Sequence, residues 1–317
     1  MSLTFLNFSN YICSCVAFLY IFLGPAFHTY WYDEIHECYG SGLQTENAMA
    51  LWLGLQSNGG VVPDVLTLNK VLNYTIKDIE TNGMHTTSGI IGIKMLFESL
   101  SKYDRGDVPL LMSLVTSYPS YGYMIHNEYE PATTLWELWD APSQGNRTYA
   151  TMDSRNHIMF GSISSYFYRY LCGIDAPLGS FGYDVIRFAP RGVGTPGATD
   201  VTSVDCHVLT PHGNASVSWT APAVPSVDVD VEVMLDTKVT LDITIPHGSK
   251  ATIRVPLVVG VGHTIDTVVI RQGSVVVWEN GAFILGGGVV SGVADGNAVE
   301  FVAKVGIQKQ FFTVDLK

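Results

Sequence analysis

The sequence predicts a multidomain α + β protein in which helices are followed by an antiparallel β-sandwich. Apolar residues recur at helical spacing over residues 28–182, whereas β-branched or alternating runs, bounded by turn residues, fill residues 183–317. The segment 187–200 is rich in proline and glycine and marks the change between the two textures. We therefore expect three regions: 1–27, a helical domain over 28–182 and a sandwich over 183–317.

The helical domain is predicted from five amphipathic segments separated by turns. Helical spacing in the first segment is shown by Ala48, Leu51, Trp52 and Leu55. Pro63 is placed in the first turn of the second segment. Two short helices are expected near residues 30 and 133. The five segments are 44–56, 63–80, 88–102, 106–117 and 154–174.

The sandwich is predicted from short runs of β-forming residues. The first run, 227–233, alternates strictly, and its three acids, Asp228, Asp230 and Glu232, fall on one face that we expect to be solvated. Several strands at this spacing are typical of an antiparallel sandwich. The further runs are 239–245, 251–259, 267–281 and 309–316.

Residues 11–27 are almost wholly apolar, about as long as a signal-peptide core and shorter than a comfortable membrane span. The basic residues that usually precede such a core are missing. Three interpretations of residues 1–27 remain open: a signal or anchor segment, a buried helix, or a start that does not belong to the natural protein. Any membrane contact is predicted only through 11–27.

Composition and motifs limit the function classes. The formal net charge of −12 disfavours nucleic acid as a partner, because phosphate contacts require a basic face. Neither a phosphate loop, a dinucleotide fingerprint nor a metal-spaced Cys/His cluster occurs, so no cofactor and no metal are predicted. Five cysteines are too few for a disulfide framework and leave at least one free thiol. Asn-x-Ser/Thr triplets at Asn7, Asn73, Asn146 and Asn214 are compatible with a secreted or extracellular glycoprotein.

The segment 118–140, YPSYGYMIHNEYEPATTLWELWD, holds four tyrosines, two tryptophans and four carboxylates in 23 residues. A protein core accepts the rings but not unpaired ionised acids, because an isolated carboxylate is costly to desolvate. A sugar-binding site uses both residue types. The segment therefore indicates a carbohydrate site.

Five ordered blocks carry a family resemblance: 39–55, 85–100, 118–125, 133–140 and 154–163. They resemble the C-terminal half of the catalytic domain of bacterial-type α-L-rhamnosidases, which are inverting glycoside hydrolases built on an (α/α)6 toroid of six helical hairpins. The runs 213–219, 243–256 and 276–281 are similar to the C-terminal β-sandwich of that family. The resemblance implies a partial toroid followed by the sandwich.

The resemblance also implies roles for individual residues. Glu137, in the Trp-Glu motif, corresponds to the general base that activates water, and His157 corresponds to a ligand of sugar hydroxyls. We expect Trp136 and Trp139 to form an apolar wall beside Glu137, since aromatic rings stack on the C–H faces of sugars. For Tyr121, a place at the mouth of the pocket and a place in the core are both open.

The implied function is release of terminal L-rhamnose from a rhamnosylated glycan or glycoside with inversion. The general acid of the family lies upstream of the matched blocks, so the sequence predicts a truncated chain that lacks this acid and whose own activity is open. If the chain does hold an acid, Glu128, Glu130 and Asp140 are the candidates. Two alternatives remain: a non-catalytic carbohydrate-binding or interaction fragment, and another (α/α)6 glycosidase.

Overall fold

The computed structural model describes residues 23–128, 131–139, 154–198, 200–224, 238–258, 264–295, 298–304, 306 and 308–316. The chain divides into two compact units. One comprises the described residues of Met1–Leu100 and Val115–Ser162, and the other those of Ser101–Leu114 and Ile163–Lys317. The predicted strand at 227–233 lies outside the described residues. The domain limits at 28–182 and 183–317 stay a prediction.

The first unit is helical, as the apolar periodicity predicts. Helix α1 covers 23–31 and is followed by a two-residue hairpin of β1 and β2, in which Tyr32 pairs with Tyr39. The elements after α1 are, in chain order, β1 (Tyr32–Asp33), β2 (Cys38–Tyr39), α2 (Gln44–Leu53), a 3-10 turn (Gln56–Asn58), α3 (Val65–Thr81), α4 (Gly92–Lys102), α6 (Tyr121–Ile125) and a 3-10 helix (Ile158–Ser162). The last two residues of α4 belong to the second unit.

Helix α3 shows how the sequence specifies these elements. Asp64 is its N-cap and accepts a hydrogen bond from the backbone N–H of Thr67 at 2.7 Å, so Pro63 precedes the cap and is not in the first turn as predicted. The buried residues recur at intervals of three and four, which places them on one face. They are Leu68, Val71, Leu72, Thr75, Ile76 and Ile79.

The second unit combines short helices with two sheets. Helix α5 (Asp107–Leu114), the one-turn α7 (Ile163–Tyr166) and a π-helix (Phe167–Leu171) precede the strands. The strands are β3 (Ile174–Asp175), β4 (Val185–Phe188), β5 (Ser203–Thr210), β6 (Gly213–Thr220), β7 (Val239–Thr244), β8 (Lys250–Pro256), β9 (Val268–Gln272), β10 (Val275–Glu279), β11 (Ala282–Phe283), β12 (Val289–Ala294), β13 (Ala298–Ala303) and β14 (Lys309–Leu316).

The two sheets have the orders β11-β10-β9-β14-β7-β6-β5 and β12-β13-β8-β4-β3. All pairings are antiparallel except that of β4 with β8, which is parallel. The rings of Phe301 on β13 and Phe312 on β14 stack with centroids 5.5 Å apart, so the two sheets face each other across a shared core. The predicted fold class, helical hairpins followed by an antiparallel sandwich, is confirmed.

Two helix predictions were wrong. Residues 131–139 form no helix, and residues 154–157 are not helical, so the predicted helix at 154–174 begins only at Ile158 and consists of 3-10, α and π turns. The reason is that the backbone groups of both segments hydrogen-bond to each other. The predicted single run 267–281 is a hairpin of β9 and β10.

Candidate functional site

The segments 134–137 and 154–157 lie side by side in opposite directions. The backbone N–H of Glu137 donates to the carbonyl of Ser154 at 2.8 Å, and the N–H of His157 donates to the carbonyl of Leu135 at 2.8 Å. The hydroxyl of Thr134 donates to the carbonyl of Arg155. These bonds place Glu137, the predicted catalytic base, and His157, the predicted sugar ligand, on two adjacent antiparallel segments.

The side chain of Glu137 is half-buried and oriented by the same partner. Its Oε2 accepts a hydrogen bond from the backbone N–H of Ser154 at 2.9 Å. Among the described residues, Oε1 has no hydrogen-bond partner. A carboxylate that is anchored through one oxygen presents the other in a fixed direction, which is the geometry that a general base needs.

His157 is also half-buried, and its backbone is fixed by Leu135. A neutral imidazole carries one donor and one acceptor nitrogen, so it can bind a sugar hydroxyl in either sense.

The three aromatic residues of the predicted site lie in the core of the first unit. Trp136 is 2% exposed, and Trp139 and Tyr121 are also buried. Trp139 packs against Phe160 with ring centroids 4.0 Å apart and meets Tyr121 edge-to-face at 5.1 Å. The hydroxyl of Tyr121 donates to the carbonyl of Phe160 at 2.8 Å, and burial raises the pKa of this phenol. Their contact with a sugar stays a prediction; what the structure shows is that Trp139, Tyr121 and Phe160 pack together as a buried aromatic cluster.

The cluster is connected to helix α2 through a residue that the sequence did not single out. The indole N–H of Trp139 donates to the carbonyl of Ser88 at 2.8 Å, and the Ser88 hydroxyl accepts from Thr45 at 3.0 Å. Gln44, also at the start of α2, is buried and bonds Asp78. The only signal for these positions was their occurrence in the matched blocks 39–55 and 85–100.

Ser154 was likewise missed as the partner of Glu137, because its contribution comes from a backbone N–H that any residue except proline provides. Of the three acids named as alternative proton donors, Glu128 is exposed, whereas Glu130 and Asp140 lie outside the described residues. Within the described ranges, no group of three or more His, Cys, Asp or Glu side chains is placed to hold a metal ion.

Comparison with protein families decides the relationship. Residues 23–171 match the family model described as the bacterial alpha-L-rhamnosidase 6 hairpin glycosidase domain. Residues 23–171 are similar to the bacterial-type α-L-rhamnosidases. The resemblance predicted from the ordered blocks is thereby confirmed.

Curated α-L-rhamnosidases match over the same part of the chain. One from Formosa agariphila is 31% identical over 174 residues, which are 54% of this chain and 17% of that protein. One from Streptomyces avermitilis is 32% identical over 177 residues, covering 55% of this chain and 16% of that protein. The chain therefore matches only about a sixth of the length of these α-L-rhamnosidases.

Solved α-L-rhamnosidase structures share the fold of almost the whole chain. The structure from Dictyoglumus thermophilum superimposes with a TM-score of 0.65 at 24% identity, covering 91% of this chain and 27% of that one. The Streptomyces avermitilis enzyme complexed with L-rhamnose gives the same TM-score and identity over 92% of this chain and 23% of that one. Both helical and sheet-rich regions thus have counterparts in these structures.

Proposed function

We propose that this chain provides the base-bearing part of an α-L-rhamnosidase that releases terminal L-rhamnose from glycosides with inversion. The observation that carries the proposal is the anchoring of Glu137 through Oε2, within a segment that matches the family block. The Streptomyces avermitilis relative is described as complexed with L-rhamnose, which supports this sugar as the ligand class.

In the proposed reaction, a water oxygen attacks the anomeric carbon while Glu137 takes a proton from that water. The bond to the glycosidic oxygen breaks, and a second carboxyl group protonates the departing oxygen. Inversion requires about 6.5–9.5 Å between the two carboxyl groups so that a water fits between them. We assign the base to Glu137 and leave the acid without an assignment in this chain.

His157 is proposed to bind a hydroxyl of the rhamnose. The buried Trp136, Trp139 and Tyr121 are proposed to hold the segment of Glu137 in place and to limit water on its inner side. A carboxylate fixed in advance has little reorganisation to undergo in the transition state.

The proposed location is outside the cell. Cys172 and Cys206 form a disulfide with Cα atoms 6.1 Å apart, and disulfides persist mainly in oxidising compartments. Asn73 and Asn214, each in an Asn-x-Ser/Thr triplet, are exposed. Cys38, by contrast, is buried and unpaired. In the described part of the chain, no helix combines the length and the apolar character that a membrane crossing needs.

The test is a fusion in which the part of the Streptomyces avermitilis relative that precedes the matched region is joined ahead of residue 23. Release of nitrophenol from p-nitrophenyl α-L-rhamnoside is then measured for Glu137→Gln and for the exposed helix residue Glu80→Gln as a control. We expect the first change to lower kcat by about 10²–10⁴-fold, the typical contribution of a positioned acid–base group, and the second to have no effect.

Near-normal turnover by Glu137→Gln would remove the assignment. The alternative of a non-catalytic carbohydrate-binding fragment predicts a different outcome. Calorimetry on residues 1–317 would then show binding of L-rhamnose, and the fusion would show no hydrolysis.

A further inference from the structure

A cavity of the first unit lies beside helix α6, and neither Glu137 nor His157 lines it. Its volume is about 430 Å³, within the range of small-molecule sites. One wall is formed by the chain before α6 and the other by the end of α6 and the residues after it. The residues that carry the argument are Thr116, Ser117, Tyr118, Tyr123, His126 and Glu128.

The cavity has the chemistry of a carbohydrate site. Tyr118 and Tyr123 meet edge-to-face with centroids 5.5 Å apart, and Tyr118 is 53% exposed, so it offers a ring face to a ligand. His126 and Glu128 are exposed and provide polar groups that can bond hydroxyls. Aromatic faces for C–H groups, together with polar side chains for hydroxyls, are what a pyranose requires.

The lining also selects against anionic ligands. Among the described residues no lysine or arginine lines the cavity, so a phosphate, sulfate or carboxylate would find neither of these charge partners in that lining. Glu128 would repel such anions, and the net charge of −12 adds to this effect. Within the described residues no cluster of metal-binding side chains occurs. A neutral sugar is the ligand class that fits.

Hydrogen bonds to residues behind the lining, His85 and Ser120, hold the walls of the cavity in place. Nδ1 of His85 donates to the carbonyl oxygen of Asn82 at 2.7 Å, and Nε2 lies 2.8 Å from the Ser117 hydroxyl and 3.2 Å from the Ser117 carbonyl oxygen. The Ser120 hydroxyl donates to the carbonyl of Val115 at 2.5 Å and accepts from the N–H of Tyr123 at 2.9 Å. A preformed wall lowers the entropy cost of binding.

Helix α6 joins this cavity to the segment of Glu137. The carbonyl of Met124 accepts from the N–H of Ala132 at 2.8 Å, and Tyr121 packs against Trp139, two residues after Glu137. We propose that the cavity is a subsite for the neutral sugar residue to which the rhamnose is attached, with Tyr118 as its stacking residue. The site stands on its own geometry, but the identity of the neighbouring sugar as rhamnose rests on the proposed function.

The test measures binding to residues 1–317 by calorimetry with three probes: L-rhamnose, methyl β-D-glucoside and the disaccharide α-L-rhamnosyl-(1→6)-D-glucose. We expect the disaccharide to bind about tenfold more tightly than L-rhamnose, and Tyr118→Ala to abolish that gain while leaving L-rhamnose binding unchanged. Tyr168→Ala is the matched control, because Tyr168 is 49% exposed and does not line the cavity.

Each outcome separates the two proposals. If L-rhamnose binds but the disaccharide gains nothing, or if folded Tyr118→Ala retains the gain, the subsite is overturned and the proposed function stands. If the glucoside and the disaccharide bind in a Tyr118-dependent way and the fusion shows no turnover that depends on Glu137, the subsite stands and the proposed function is overturned. If no probe binds, the subsite is overturned, whereas the proposed function is decided by the turnover of the fusion and its Glu137→Gln variant. Circular dichroism of each variant confirms that it is folded.

Discussion

Glu137 and Ser154 are joined by two hydrogen bonds, one from the Glu137 N–H to the Ser154 carbonyl and one from the Ser154 N–H to Oε2 of Glu137. The backbone and the side chain of the proposed base are therefore held by one residue. The carboxylate cannot rotate away without losing a charge-assisted bond, which is about twice as strong as a neutral one. The orientation of the base is thus a property of the paired segments, not of Glu137 alone.

The first prediction concerns this anchor. Ser154→Pro removes the donor N–H and leaves the Ser154 carbonyl in place, so the carboxylate of Glu137 loses its fixed direction. In the fusion described above we expect kcat on p-nitrophenyl α-L-rhamnoside to fall by about 10²-fold, since small misplacements of a reacting group have effects of this size.

Ser154→Ala is the control for that change. It keeps the backbone N–H and loses only the bond that the Ser154 hydroxyl accepts from Asn156. Equal activity of the proline and alanine variants would show that the anchor has no role in turnover.

The sequence predicted those parts of the fold that have a local signature. Helix α3 was predictable because its apolar residues, from Leu68 to Ile79, repeat at helical spacing behind an acidic cap. The segment 131–139 was not, because its conformation depends on bonds to residues 154–157, far along the chain. The parallel pairing of β4 with β8 and the pairing of Cys172 with Cys206 across 34 residues also leave no local pattern.

The residues of the proposed site also divide into those that the sequence indicated and those that it did not. Glu137 and His157 were predicted from a family motif that contains the residue types themselves. Ser154 acts through its backbone and Ser88 through its carbonyl, so their side-chain identities carry no signal. The burial of Trp136 could not be predicted either, because a core ring and a sugar-stacking ring look alike in sequence.

The second prediction tests the aromatic cluster. Trp139→Ala should lower the free energy of unfolding by about 3–5 kcal/mol, the usual cost of truncating a buried tryptophan. Trp139→Phe keeps much of the ring but leaves the Ser88 carbonyl without its donor, which costs about 1–3 kcal/mol. Urea unfolding followed by circular dichroism measures both.

The control for the cluster is Trp52→Phe. Trp52 is 42% exposed and donates to the carboxylate of Glu98, which water can solvate in its absence. We expect a change below about 0.5 kcal/mol for this surface substitution. A Trp139→Phe variant as stable as Trp52→Phe would contradict the importance of the Ser88 bond.

The third prediction concerns the second unit, where Asp104 pairs with two buried arginines. It contacts Arg191 and lies 2.9 Å from Nη2 of Arg254, while Arg254 also bonds Asp295 at 2.9 Å. Burial and repulsion from Arg254 lower the pKa of Arg191 to about 10. Asp104→Asn removes the shared negative charge and still suits the positive φ of 61° at this position.

We expect Asp104→Asn to lower the free energy of unfolding by about 1–3 kcal/mol. A fully buried pair costs about 3–5 kcal/mol to break, and Asp104 is 39% exposed, which reduces the effect. Asp107→Asn is the control, because the Asp107 pair with Arg105 is one-third exposed and should cost about 1 kcal/mol or less. Equal urea midpoints for the two variants would show that Asp104 is an ordinary surface acid.

The fourth prediction is a pH dependence at the start of helix α3. The backbone N–H of Thr67, donated to the carboxylate of Asp64, lowers the pKa of that group below its ordinary value of 3.8. A carboxyl group with a lower pKa in the folded state stabilises the fold above its unfolded pKa, and this stabilisation is lost as the pH falls through the folded pKa.

Asp64→Asn caps the helix equally well without a charge that titrates. Between pH 5 and pH 2, about the window in which such a group protonates, the urea midpoint of the variant should fall less than that of the parent chain. Parallel curves for the two proteins would show that Asp64 does not contribute to acid unfolding.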